Sequence, residues 1–327
     1  MKAWFCEQTT GVDDLVWREV PTPSPGEGEV LIEIEAASLN FPDLLIVQNK
    51  YQLKPALPFV PGSEYAGIVK AVGPNVSTLA VGNRVACLNG TGGFGTHTIA
   101  PEKLCLPLDP KFTPEEAASF IMTYATSHHA LIDRGALKAG ETVLVLGAAG
   151  GVGSAAIQIA KAVGARVIAA TSSAEKCAVA KTLGADECID YSTGNFREQI
   201  KTLTAAMGPN VIYDPVGGDL AEAAFRSIAW RGRYLVVGFA AGSIPSFALN
   251  LMLLKGASVV GVFWGDFSRR EYQNNRAMLG ELSKWYVEGK IKPLIDTVYD
   301  LSDLKKAYAQ MSTRGVKGKL VLTNKNK

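Results

Sequence analysis

The sequence predicts an α/β protein of two domains, a β-rich barrel-like domain and a doubly wound parallel sheet. Three observations predict it. The chain has 327 residues, and at ~150 residues per domain that length holds about two. From residue 1 to about 122 it reads as short strands punctuated by Gly and Pro. From Thr142 onward strands and helices alternate, beginning at the glycine-rich turn in "VLGAAGGVGSA" (145–155).

In the first domain, Val30 to Ala36 ("VLIEIEA") alternates apolar and acidic residues, the pattern of a half-buried strand. "GIVKAVG" (67–73) and "GNRVACL" (82–88) are short strands bounded by Gly, and "PTPSPGEGE" (21–29) has turn chemistry. At "FTPEEAASF" (112–120) the texture changes. Thr113 is placed to cap a helix, Pro114 to fill its first turn, and Glu115 and Glu116 to face the positive end of its dipole.

Strands are predicted at 142–146, 166–170, 187–189, 211–214, 233–238 and 258–263. Helical patterns lie between them at 151–163, 174–183, 196–206, 218–228 and 247–254. Six strands with five crossovers make a doubly wound sheet. A long amphipathic helix (269–288) follows, and the chain ends on the strand "GKLVLT" (318–323). This tail has no sheet of its own, so it is expected to return to the first domain. The boundaries are 1–122 for the first part of that domain, 123–265 for the inserted nucleotide fold and 266–327 for the return segment.

A dinucleotide fold needs a tight turn, close backbone approach to a pyrophosphate and close helix packing, which glycines in G-x-G-x-x-G supply. Here that register reads Ala148-Ala149-Gly150-Gly151-Val152-Gly153, with Ala148 in the first glycine's place. The helix opening at Gly151 presents backbone N–H groups to the pyrophosphate. The second strand selects the nucleotide. An NAD site carries an acid at its tip for the ribose hydroxyls. This tip reads Ala169-Ala170-Thr171-Ser172-Ser173-Ala174-Glu175-Lys176. Ser172, Ser173 and Lys176 can hydrogen-bond a 2′-phosphate, which an acid at the tip would repel, so NADPH is favoured over NADH. The plainer alternative is that Ser173 caps the next helix and Lys176 faces water.

Composition narrows the function. Net charge is +2 with 20% charged residues and no basic block or acidic tail, which argues against nucleic acid or a membrane surface as partner. The N-terminus lacks the apolar core of a signal peptide, so a cytoplasmic protein is expected. Cys6, Cys87, Cys105, Cys177 and Cys188 show neither a disulfide framework nor a metal knuckle, and free thiols are expected.

"GAAGGVGSAAIQIAKAVGARVIA" (147–169), "GADECIDY" (184–191) and "YDPVGG" (213–218) resemble the zinc-independent NADPH:quinone oxidoreductases of the medium-chain dehydrogenase/reductase superfamily. "AASLNFPDLLIVQNKY" (36–51), "PFVPGSEYAGIVKAVGPNV" (58–76) and "LVVGFAAG" (235–242) extend the resemblance over essentially the whole chain. It implies a GroES-like catalytic domain with a Rossmann domain. Where zinc relatives carry Cys, His and Cys, the resemblance puts Asn40, Ser63 and Met122, and the four-cysteine structural lobe is absent. None of the three is a competent zinc ligand in this setting. His97, His128 and His129, the only histidines, read as surface or core residues.

Without a Lewis acid, the chemistry left is hydride donation from NADPH to an acceptor already electrophilic: a quinone, or the β-carbon of an enal or enoyl thioester. Such a reaction needs alignment and an oxyanion donor. The resemblance implies Asn40 and Tyr51 as donors, and a turn residue and a packed loop aromatic are the alternatives for these two. Leu45 replaces a tyrosine found in some relatives. The resemblance further implies Lys176, Tyr191 and Arg314 around the 2′-phosphate, Gly238, Phe239 and Phe263 on the nicotinamide side, and a homodimer through the edge strand at 258–265. A 2-alkenal or enoyl-CoA reductase is the alternative activity, though only Lys50 and Lys54 lie near Tyr51 to meet CoA phosphates. An NADPH-binding sensor or structural protein is the alternative of another class.

Overall fold

The computed structural model describes residues 1–313 and 315–324. It divides into two compact units, Met1–Met122 with Pro293–Lys327, and Thr123–Lys292. The return segment therefore begins at 293, and residues 266–292, expected in the first domain, belong to the second unit. Packing explains the shift. The predicted helix at 269–288 is two helices, Trp264–Arg270 and Tyr272–Val287, separated at Glu271 by non-helical backbone (φ −121°, ψ 50°). Phe267 of the first stacks on His129 with ring centroids 4.3 Å apart, and Trp285 of the second meets His128 at 5.7 Å. Both histidines lie in the second unit, so these helices bury their aromatic faces there.

In the first unit, strand Glu29–Ser38 is the centre of a seven-stranded sheet. Val30, Ile32, Ile34 and Ala36 are buried on one face, the period-2 pattern read as a strand. It pairs antiparallel with Glu64–Val72 and with His97–Pro101. The C-terminal strand Lys319–Thr323 pairs antiparallel with it as well, with Val321 opposite Ser38, so the return segment shares a sheet and a core with the first part of the chain. Thr113 caps helix Pro114–Ala117 through a reciprocal pair with Glu116: its Oγ1 accepts the Glu116 N–H at 3.2 Å.

In the second unit six parallel strands lie in the order Glu187–Asp190, Arg166–Thr171, Thr142–Leu146, Val211–Asp214, Arg233–Val236, Ser258–Gly261. The order reverses direction beside Thr142–Leu146. This is the topological switch point at which open α/β sheets bind ligands, beyond the strands' carboxyl ends. Leu144, Leu146, Ile168, Ile212 and Tyr234 form the core on one face.

Candidate active site

The glycine turn leaves strand Thr142–Leu146 at the switch point and opens helix Gly151–Ala162, capped at Gly150. The left-handed conformation the turn needs falls on Gly147 (φ +59°), one residue before the expected first glycine, so Ala148 is tolerated in its place. Gly153 is required by contact, because a Cβ there would stand 2.3 Å from the Gly147 carbonyl oxygen. The first helical bond runs from the Ser154 N–H to the Gly150 carbonyl at 2.8 Å. The N–H groups of Gly151, Val152 and Gly153 thus have no acceptor within the helix.

Beside it, strand Arg166–Thr171 ends at Ser172 and Ser173. The Ser173 hydroxyl caps helix Ala174–Thr182 by accepting the Lys176 N–H at 3.2 Å, and the Lys176 ammonium donates to Ser172 Oγ at 3.4 Å. Parallel pairing sets Asp190 opposite Thr171, so the residues that follow the two strands, Tyr191 and Ser172, emerge side by side. Structure therefore brings Ser172, Ser173, Lys176 and Tyr191 to one corner of the sheet. Arg314 lies outside the described residues. Gly238 and Phe239 follow strand Arg233–Val236, with the Gly238 N–H donating to the Asp214 carbonyl at 3.3 Å. Phe263 follows the edge strand and is half exposed.

Two features of this unit were not read from the sequence. Cys177 and Cys188 form a disulfide with Cα atoms 5.6 Å apart, which corrects the expectation of free thiols for this pair. Cys188 sits opposite Ala169 in the parallel ladder, and Cys177 lies in the helix that follows the same strand. Pairing of the strands, invisible in the linear spacing, brings them together. Cys6, Cys87 and Cys105 are buried and take part in no disulfide among the described residues. Asp214, in "YDPVGG", is buried, and its Oδ1 accepts the N–H groups of Val216 (2.7 Å) and Gly217 (2.8 Å). Tyr234 donates its hydroxyl proton to the other carboxylate oxygen. One side chain thus shapes the loop at the strand's carboxyl end.

In the first unit, Asn40 precedes helix Phe41–Ile46 and is buried, while Tyr51 packs against the core, half-buried. Asn40 belongs to a polar cluster where three strands meet. Its Nδ2 donates to Glu64 Oε2 at 3.0 Å, and its Oδ1 accepts from the Lys319 ammonium. Glu64 Oε2 also accepts from Ser38 Oγ at 3.1 Å, and Glu64 Oε1 from the Met122 N–H at 2.9 Å. Asp43 accepts the N–H groups of Asn40 (2.8 Å) and Ser63 (2.9 Å). Burial pushes the Asp43 carboxyl up to about 6, against the pull of these bonds and of Lys319. Burial likewise lowers Lys319, against the attraction of Glu64 and Asp43. Lys319 lay outside the sequence reading because 279 residues separate it from Asn40.

Residues 26–110 match the family described as "Alcohol dehydrogenase GroES-like domain", and residues 151–281 match "Zinc-binding dehydrogenase". A quinone oxidoreductase-like protein 2 from Bos taurus is 38% identical, over 95% of this chain and 89% of its own. The chain belongs to the quinone oxidoreductase family of the medium-chain dehydrogenase/reductase superfamily. Solved structures agree in fold. The quinone oxidoreductase of Thermus thermophilus, solved alone and with NADPH, superposes with a TM-score of 0.84 at 30% identity, covering 99% of this chain and 100% of that one. A mycobacterial protein solved with NADPH gives 0.90 at 32% identity over the same shares.

Within this quinone oxidoreductase fold, the residues named from sequence fall into two groups. The glycine turn lies at the switch point of the second unit, and the Ser172–Tyr191 corner lies at the ends of the two strands on one side of it. Asn40 and Tyr51 lie in the first, and Asn40 is held on both sides of its amide. Among the described residues no group of three or more His, Cys, Asp or Glu is placed to hold a metal.

Proposed function

We propose that this chain is an NADPH-dependent reductase of quinones or similarly electrophilic carbonyl compounds, working without zinc and as a homodimer. The observation that carries this reading is the chemistry of the Asn40 cluster. The family description names zinc, and zinc needs Cys, His or carboxylate donors converging on an accessible point. Here both Asp43 oxygens and both Glu64 oxygens already accept hydrogen bonds, and an ammonium lies 3.5 Å from Glu64 Oε2. A divalent cation placed there would meet Lys319 as a like charge. These residues do not fit zinc, which supports an acceptor that is electrophilic without a Lewis acid.

The second unit fits a phosphorylated dinucleotide. The backbone N–H groups of Gly151, Val152 and Gly153 would hold the pyrophosphate, and the Gly147–Gly153 contact leaves no room for a side chain between turn and helix. Ser172, Ser173, Lys176 and Tyr191 would hold the 2′-phosphate, with no carboxylate at the strand tip to repel it. Gly238, Phe239 and Phe263 would line the nicotinamide side. When bound, NADPH supplies a hydride. Tyr51 and Asn40 would donate hydrogen bonds to the oxygen on which charge develops, which supplies a few kcal/mol of stabilisation.

The homodimer reading rests on the sheet edge. Strand Ser258–Gly261 ends the sheet, with one side unpaired among the described residues, Val259 is exposed on it, and Leu249, Leu253 and Leu254 are exposed in the preceding helix. An apolar, open edge is a pairing surface.

The test is oxidation of NADPH and NADH by purified, chelator-treated protein with a simple quinone, a short 2-alkenal and crotonyl-CoA. Chelator-insensitive NADPH turnover with the quinone is expected. Turnover confined to the alkenal or thioester replaces the quinone with a C=C acceptor. Tight NADPH binding with no turnover on any acceptor leaves a binding protein and ends the enzymatic reading.

A further inference from the structure

We infer that Lys319 is the positioning residue of the Asn40 amide: its buried ammonium fixes which end of that amide is left to donate. The inference rests on the proposed role of Asn40 as an oxyanion donor and extends it to a residue at the far end of the chain.

An asparagine amide is nearly symmetric in shape, and only its neighbours decide which end is oxygen. Lys319 has donors and no acceptor, while an ionised Glu64 has acceptors and no donor. The amide oxygen therefore faces Lys319, and Nδ2 faces Glu64 at 3.0 Å. The opposite flip would set oxygen against carboxylate and N–H against ammonium, two repulsions inside a buried cluster. With the orientation fixed, one Nδ2 hydrogen goes to Glu64. The second is the only hydrogen-bonding hydrogen the side chain has left to give.

The fold builds this contact. Strand Lys319–Thr323 runs antiparallel to Glu29–Ser38 with Val321 opposite Ser38. The Leu39 N–H bonds to the Leu320 carbonyl at 2.9 Å, which carries the register on to Lys319 beside Asn40. Lys319 is 5% exposed and Glu64 fully buried. A lysine placed so deep, with two carboxylates nearby, is costly unless its charge is used. It is the cation of the cluster.

Two variants and their combination test it, with quinone reduction by NADPH as the assay. Lys319→Met is expected to lower kcat by about a hundredfold, the scale of one lost oxyanion donor, while the Kd for NADPH stays unchanged. Asn40→Ala is expected to do the same. If Lys319 acts through Asn40, the double variant loses no more than either single one, within about twofold.

Lys319→Met leaves two buried carboxylates without a cation and can fail to fold. The pair Glu64→Gln with Lys319→Met removes both charges. The Met122 N–H holds the oxygen of the Glu64→Gln amide on its own side, so that amide offers N–H to Asn40, which turns its own oxygen toward it and loses the donor orientation; kcat of this variant is expected to fall likewise. Wild-type kcat in that folded pair overturns the inference, as does a double variant of Asn40 and Lys319 whose losses multiply. If Asn40→Ala itself keeps wild-type kcat, the assigned role of Asn40 falls and this inference falls with it. If Asn40→Ala loses activity and the Lys319 variants do not, only this inference falls.

Discussion

The carbonyl oxygen of Gly147 stands 2.3 Å from the place a Cβ on residue 153 would occupy. No side chain fits there without moving the turn. Gly153→Ala is expected to destabilise the protein by about 1–3 kcal/mol, the usual cost of forcing a group into packed space, and to weaken NADPH binding by displacing the helix N-terminus. Urea denaturation and a fluorescence titration with NADPH measure the two effects. Wild-type values in both would remove this contact as the reason for glycine.

Lys176 and Ser172 share a 3.4 Å hydrogen bond at the tip of the second strand. Lys176→Ala is expected to raise the Kd for NADPH by about tenfold or more, since a bond to a charged group contributes about 1.5–3 kcal/mol. NADH lacks the 2′-phosphate, and its Kd should not move. Equal weakening of both coenzymes would place the effect elsewhere.

Asp43 gives a pH dependence of stability. Its carboxyl rises from an ordinary 3.8 to about 6 in the folded chain because burial disfavours the charge. The folded state then holds the proton more tightly than the unfolded one. Its contribution is complete below the unfolded value and is lost as pH rises through the folded one, a change of roughly 3 kcal/mol. Asp43→Asn does not titrate. The stability of the wild type relative to this variant should fall between about pH 4 and pH 7, as measured by denaturation in buffers of constant ionic strength. A pH-independent difference refutes the shift.

Asp214 is the acceptor for two loop N–H groups and for the Tyr234 hydroxyl. Asp214→Ala leaves these donors without a partner and is expected to cost at least about 2 kcal/mol. Asp214→Asn keeps one carbonyl oxygen and should recover part of the loss. If the two variants melt alike, the accepting oxygens are not what holds the loop.

Val259 is 41% exposed on the strand that ends the sheet. In the homodimer reading, Val259→Lys puts a charge on the pairing edge. Sedimentation equilibrium is expected to give a dimer for the wild type and a monomer for the variant. A wild-type monomer, or a variant that stays dimeric, rules out that edge.

The sequence by itself determined the elements whose cause is local. Alternation at 30–36, the capping pattern Thr113–Glu116 and the strand–glycine–helix pattern at 142–163 each follow from steric and hydrogen-bonding rules acting over a few residues, and each appears in the structure within a few residues of its expected bounds. The corner formed by Ser172, Ser173 and Lys176 was legible for the same reason, since all three lie at one strand end. Tertiary structure alone decided what depends on register and packing between distant segments. The pairing of Cys177 with Cys188 follows from the alignment of two parallel strands. The aromatic faces of Phe267 and Trp285 set the second domain boundary at 293, not 266, by packing on His129 and His128. Above all, Lys319 reaches Asn40 only because the last strand lies antiparallel beside the strand that carries Ser38. A side chain's ordinary chemistry is written in the sequence, but the buried partner that orients it is chosen by the fold.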